Sequence, residues 1–263
     1  MLRYVADVLK LQIRRSTLYR ANLYFSAIAE LIPLVGLLLY LGGAFRGVAS
    51  INGYSDVELT TYYFLGFLLS GWVPTVWYEV GLNIRTGDLN TYLLRPPHYL
   101  VHFAVRQLAV SLVYVVIVGS LGILVCLAFP GRVTLPPNPG NLLLSLAAAL
   151  MAFQLAYQLG CLAHLSAFWL DDLKGILSAT YLLQTLLSGQ VFPIDFLPST
   201  LASVTKVLPF AYIYWFPARV YLGTTAAQQL QGFAVMGLWI IVTGLALRAL
   251  WSKGLRVYHA RGG

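Results

Sequence analysis

Carboxylates are the side chains here most able to do proton or metal chemistry, and they are sparse: Asp and Glu together number 9 in 263 residues. Asp171 and Asp172 are adjacent. Consecutive helical residues point about 100° apart, so this pair does not share a face as general acid–base or metal chemistry would need. It reads as solvating a tight turn. The 4 histidines are scattered, and no Cys/His cluster has metal-ligand spacing. Cys126 and Cys161 lie inside apolar runs and read as buried, reduced thiols. No Gly-x-x-x-x-Gly-Lys-Ser/Thr loop occurs, which excludes nucleotide hydrolysis through that motif. The chain is not expected to be an enzyme by itself, to bind a metal or to hold a cofactor.

What remains is recognition chemistry. The segment ELTTYYFLGFLLSGWVPTVWYEV is rich in aromatic residues, with Tyr63, Phe67 and Trp72 along it, Glu79 at its end and Glu30 in the preceding apolar run. Aromatic faces beside carboxylates suit an organic cation, and a carboxylate within an apolar span faces protein or water. These five residues are therefore candidates for a substrate pathway. The plainer alternatives are aromatic anchors at the membrane interface, and a Glu30 paired with Arg106 or Arg20 or protonated among helices. Gln154, Gln158, His164 and Gln184 read as hydrogen-bonding groups between helices rather than as ligands for a substrate.

The elements that must position these groups are membrane helices. Hydrophobic residues make up 59% of the chain and charged ones 10%, against about 25% charged in a soluble domain. Repeated apolar runs have the roughly 20-residue length that crosses about 30 Å of hydrocarbon. An all-α polytopic membrane protein with six transmembrane helices follows, near 23–45, 58–80, 104–129, 142–169, 175–193 and 231–251, within a single transmembrane domain over 1–263. The start lacks the layout of a secretory signal. Residues 1–22 instead read as an amphipathic interface helix, with Arg3, Asp7, Lys10 and Arg14 on one face and Leu2, Val5, Leu9 and Ile13 on the other. A simple basic anchor for anionic lipid is the alternative.

The net charge of +8 is not a nucleic-acid signal. Basic residues concentrate at both chain ends and beside Arg85, Arg95, Arg106 and Lys174, against Arg46, Arg132, Lys206 and Arg219 on the opposite side. Lys and Arg mark cytoplasmic loops, so both termini are expected in the cytoplasm. Between spans five and six, Pro193, Pro198, Pro209 and Pro217 break an apolar stretch. Proline ends or kinks helices. The stretch 194–230 therefore reads as an external re-entrant or interfacial hairpin, opened by Gly189 and Phe192.

Two motifs carry a resemblance. Gly-Asp-Leu-x-x-Tyr-Leu-Leu-Arg-Pro stands at 87–96 and Ser-Gly-x-x-Phe-Pro-Ile-x-x-Leu-Pro at 188–198. With the amphipathic start and the six-span plan, the chain resembles the permease subunits of type-2 ATP-binding-cassette exporters, in the branch with separate permease and ATPase chains. The resemblance implies a cytoplasmic coupling segment at 81–99 that docks on the ATPase. Arg85, Gly87, Asp88, Leu89, Tyr92, Leu93, Arg95 and Pro96 match it. Leu89, Tyr92 and Leu93, at i, i+3 and i+4, would form the docking ridge and the charged residues its rim. Gly87 would permit a tight turn and Pro96 would stop the helix. The partners implied are cytoplasmic ATPase subunits carrying ATP and Mg, a second permease (identical or a paralogue) and membrane lipid, with no nucleic acid. The location implied is a bacterial-type inner membrane. A hydrophobic or cationic drug-like compound is the expected cargo, in multidrug efflux by a heteromeric complex. The alternatives are export of lipid or glycan, or a lipid-modifying membrane enzyme working without an ATPase.

Overall fold

The computed structural model describes residues 2–18, 20–74, 79–94 and 98–258. They are mainly helical, and among them no strand forms beyond an isolated bridge between Ile51 and Tyr54. The helices are α1 (Leu2–Leu18), α2 (Arg20–Ala44), α3 (Asp56–Trp72), α4 (Glu79–Thr86), α5 (Leu89–Leu93), α6 (Tyr99–Ala128), α7 (Pro139–Leu165), α8 (Lys174–Leu187), α9 (Ser199–Val207), α10 (Trp215–Leu222) and α11 (Ala226–Val257). Four helices among the described residues are long and apolar enough to cross a membrane: Tyr24–Ala44, Tyr99–Ala128, Pro139–Phe168 and Ala226–Val257.

The helix starts follow from local chemistry. Ser55 and Glu58 form a reciprocal capping box on α3, and Thr225 and Gln228 form another on α11. Asn138 accepts from the Asn141 backbone at 2.9 Å, with Pro139 preset for the first turn of α7. The expected span over 58–80 is divided. α3 stops at Trp72, because Pro74 offers no backbone donor and disfavours helical dihedrals at Val73, which is extended at φ −65° and ψ 124°. Helix resumes at Glu79; Trp77 and Tyr78 lie outside the described residues. α3 has 17 residues and α8 has 14, ending at Leu187 before Gly189 turns the chain.

Two groups of helices make the body. α2, α3 and α6 share a core of Leu34, Leu38, Phe64, Phe67, Val118 and Val125. α7 and α11 share another with α10 and Ile194, centred on Ala152, Leu155, Val220 and Met236. At the end nearest the chain termini the groups are joined through Tyr99, Phe103, Tyr157, Cys161, Leu247 and Trp251. Tyr99 stacks on Trp251 with centroids 5.4 Å apart, and the Tyr157 hydroxyl donates to the Leu100 carbonyl at 2.5 Å. α1 lies across α6, its Tyr4 hydroxyl bonded to His102.

The opposite end is a cap, formed by 188–223. Two short 3₁₀ turns, Ile194–Phe196 and Pro209–Tyr212, alternate with α9 and α10. Gly189 has φ +82°, and a Cβ there would lie 2.6 Å from the Tyr62 hydroxyl and 2.7 Å from the Trp215 Cβ. Dihedral and space both demand glycine. Gly189→Ala is expected to cost about 1–3 kcal/mol, as strain at a special backbone position does. A lowered melting temperature in detergent checks this, with Gly175→Ala, which lies in α8 and meets nothing within 4 Å, expected to melt no lower than the parent.

Candidate functional site

The coupling motif folds in an order that its residues explain. α4 ends at Thr86, whose hydroxyl donates to Asp88 at 2.7 Å, and Gly87 turns the chain with φ +85°. α5 follows. Leu89 is not on an exposed ridge: it is 0% exposed, in the core that joins the two helix groups. Tyr92 is half-buried and packs on Tyr99 at 5.3 Å and on His102 at 5.4 Å. Residues i and i+3 share a helix face, but that face is turned inward and anchors α5 to α6. The exposed apolar groups are Leu93 at 44% and Leu94 at 87%. Arg85 is half-buried and Asp88 exposed. Arg95 and Pro96 lie outside the described residues.

A second connection lies beside this one. Ile84 and Arg85 share a small cleft with Phe168, Trp169, Leu170, Asp171 and Tyr258. Trp169 and Leu170 are exposed, so two chain reversals offer bare apolar groups at the same end. Asp171 and Asp172 are exposed, and Asp172 accepts from the Lys174 backbone at 3.0 Å, satisfying an amide in the first turn of α8. Among the described residues no group of His, Cys, Asp and Glu could hold a metal ion. Both cysteines are free; Cys161 is buried and Cys126 half-buried.

The pathway candidates separate. Tyr63 and Phe67 line a hollow of about 480 Å³ with Leu34, Leu37, Tyr181 and Gln190, where α2, α3, α8 and the cap meet. Trp72 is turned away from it, donating its indole N–H to the Ala149 carbonyl at 2.7 Å and packing on Phe153. Glu79 forms an ion pair with Arg106 at 2.5 Å, so one of the two guanidiniums suggested for Glu30 is engaged by Glu79. Glu30 lies within α2, and its side chain is not described. The hollow is thus mainly aromatic and apolar, with Ser70 and Gln190 as its polar groups and no carboxylate among the described residues that line it.

The cap is built on a residue that the sequence reading passed over. Asp195 Oδ2 accepts from the Tyr54 hydroxyl at 2.7 Å and from the Trp215 indole at 2.8 Å, while Oδ1 accepts from Lys206 at 2.8 Å. Arg219 stands 3.8 Å from Oδ2. The two cations also lie over rings, Lys206 at 4.9 Å from Trp215 and Arg219 at 5.3 Å from Tyr54. The available signal was a lone Asp in the apolar run SGQVFPIDFLP, followed by Lys206 and Arg219. Gly189, Pro193 and Ile194 are buried beneath this network, Phe192 is half-buried and Pro198 exposed. Burial works to raise the Asp195 pKa, but bonds from Lys206, Trp215 and Tyr54 and the Arg219 charge outweigh it and hold the carboxyl below its usual value. Burial, partly offset by Arg219, raises the Tyr54 pKa and keeps that phenol a donor.

These features define an integral membrane protein with helices grouped around an aromatic hollow and no catalytic centre of its own among the described residues. A family model described as ABC-2 family transporter protein matches residues 31–262. The chain belongs to that family. It is accordingly a permease-type subunit of a transporter rather than a stand-alone enzyme, and it works with an ATP-binding-cassette ATPase. No curated protein matches it.

A carboxylate with a depressed folded pKa stabilises at pH above its unfolded value, and the contribution is lost as pH falls through the folded one. The cap is therefore expected to resist acid until below the ordinary carboxylate range. Trp215 fluorescence against pH checks this, in a variant with the other tryptophans replaced by phenylalanine. Asp195→Asn leaves Lys206 and Arg219 without their counter-charge. It should cost about 1.5–3 kcal/mol at neutral pH and flatten the acid transition.

Proposed function

We propose that this chain forms half of the translocation path of an ATP-driven exporter, with six spans and both termini in the cytoplasm. The observation that carries the reading is α8. It is apolar, with Tyr181, Leu182, Leu183 and Leu186 exposed, and none of its residues is buried. A helix with no buried residue, seated on the body along one side through Leu177 and adjoining an aromatic hollow, would be the inner wall of a larger assembly, completed by a second permease. α3 and α8 would be the second and fifth spans, each shortened where the chain turns.

The charges support the orientation. At the cap end, Arg132 pairs with Asp56 at 2.5 Å, and Asp195 holds Lys206 and Arg219. Arg248, Lys253 and Arg256, near the other end, have no ion pair among the described residues. Apart from Arg46, the positive charge without an ion pair among the described residues is thus gathered at the end assigned to the cytoplasm, where anionic lipid and positive-inside insertion favour it. There α5, held by Leu89 and Tyr92, would present Leu93 and Leu94 to the ATPase, with Trp169 and Leu170 as a second contact. Closure of the ATPase pair on ATP and Mg would then move α5 and the start of α6 together, as a near-rigid body.

The cargo that suits Tyr63, Phe67 and Tyr181 is a flat hydrophobic compound. A positive charge on it would be met by ring faces rather than by Glu79, which Arg106 already neutralises. Lipid and glycan are less suited to a small aromatic hollow.

Leu94→Asp in the assembled complex is expected to lower drug-stimulated ATP hydrolysis and efflux about tenfold or more, the effect of placing a charge in a desolvated contact. Melting should be unchanged, since Leu94 is 87% exposed. Leu89→Ala should lower stability itself, by about 2–5 kcal/mol. Full efflux with Leu94→Asp would sink the docking assignment. Cysteine at Tyr181 should cross-link two permease chains; a failure there would remove α8 from the interface.

A further inference from the structure

A lateral groove of about 750 Å³ opens between α6 on one side and α7 and α11 on the other. Its walls are apolar, with Val101 and Ala104 from α6 facing Ile241 and Leu245 from α11. Ile241 and Leu245 are exposed at 61% and 59%, so the groove is open along its length. Its base is at the termini end, where Tyr99 stacks on Trp251. Arg248 and His98 stand there, also lining the groove.

The polar groups at the base are of one kind. Arg248 is exposed and has no ion pair among the described residues, and no Asp or Glu lines the groove. Gln154 and Gln158 also line it, and Gln158 Oε1 accepts from the Thr243 hydroxyl at 2.7 Å. The His98 Nδ1 accepts from the Leu100 backbone at 3.3 Å, which makes Nε2 the proton-bearing nitrogen of the neutral ring. A guanidinium and an imidazole N–H at one end of an apolar trough complement a phosphate attached to a long chain. Basic pockets between membrane helices at the cytoplasmic surface bind anionic headgroups on the same principle.

We infer that the α6–α7–α11 groove is a binding site for an anionic glycerophospholipid of the cytoplasmic leaflet, its phosphate on Arg248 and His98 and one acyl chain between α6 and α11. The site rests on the proposed orientation, which puts this end at the cytoplasmic surface. The lipid fills the gap between the two helix groups and ties them together beside the join made by Tyr99 and Trp251.

The permease–ATPase complex is purified in mild detergent, stripped of loosely held lipid, and exposed to phosphatidylglycerol or to phosphatidylcholine of the same chains. Retained lipid is counted by native mass spectrometry. Phosphatidylglycerol should be retained in preference, and Arg248→Ala should weaken its retention about tenfold, the factor expected from losing one charge-assisted contact. Ala104→Trp, which fills the trough, should do the same. Lys253→Ala, outside the groove, should change little. Equal retention of the two lipids, unchanged binding in Arg248→Ala, or an equal loss in Lys253→Ala would overturn the site. So would displacement by glycerol phosphate without acyl chains, or an efficient Ile241→Cys cross-link between two copies, which would make the groove a protein interface. ATPase recovery in the same preparation reports on the proposed function separately, because each lipid result is read on the permease chain itself.

Discussion

A carboxylate drawn largely out of water is tolerable only when its lone pairs are satisfied and its charge is answered, and at the cap end the half-buried Asp195 meets both conditions. Its oxygens gather Tyr54 from the turn before α3, Trp215 from α10 and Lys206 from α9, with Arg219 alongside. These groups come from short elements separated by turns and prolines. Around the network the remaining backbone groups find partners: the Tyr62 hydroxyl donates to the Gly189 carbonyl at 2.5 Å, the Trp215 amide to the Ser188 carbonyl at 2.9 Å, and the Tyr212 hydroxyl to the Lys206 carbonyl at 2.8 Å. A chain broken by prolines cannot satisfy its own amides and carbonyls by continuing a helix. Convergence on one charged side chain lets so irregular a segment stay compact.

The other end solves a different problem with different chemistry. There the two helix groups meet through rings and aliphatic side chains, with Trp251 as the common partner of His98, Tyr99 and Phe168. Aromatic contacts are worth about 0.5–1.5 kcal/mol each beyond area burial and tolerate small changes of angle. One end of the protein is thus fixed by directional polar bonds, and the other by packing that can shift.

The long helices were legible because each crosses the membrane as one apolar run with a recognisable start: Asn138 before Pro139, Thr225 before Gln228. The limits of α3 were less so. Pro74 announces a bend, but a bend and a break are the same letter in a sequence. The ridge of Leu89, Tyr92 and Leu93 shows how far a periodicity argument reaches. Spacing tells which residues share a face, and the direction of that face depends on Tyr99, His102 and Phe103 in the next helix, which occupy the space beneath Tyr92. Asp195 was harder still. Its hydrogen-bond partners stand 141, 20 and 11 residues away, and no local pattern links an isolated acid to them. Glu79 was visible as a carboxylate near a membrane boundary, but its neutralisation by Arg106, 27 residues on, was not.

The way α8 is held has a mechanical meaning. Leu173, just before its first turn, is 0% exposed, and the carbonyls just after its last turn are gripped by Tyr62 and Trp215. Between these anchorages none of its side chains is buried. A rod clamped at both ends cannot slide or turn about its own axis, but it can bow at its middle. Bowing would move Tyr181, near the midpoint, toward or away from Tyr63 and Phe67 across the hollow. The width offered to a passing molecule would then change without either end of the helix leaving its seat.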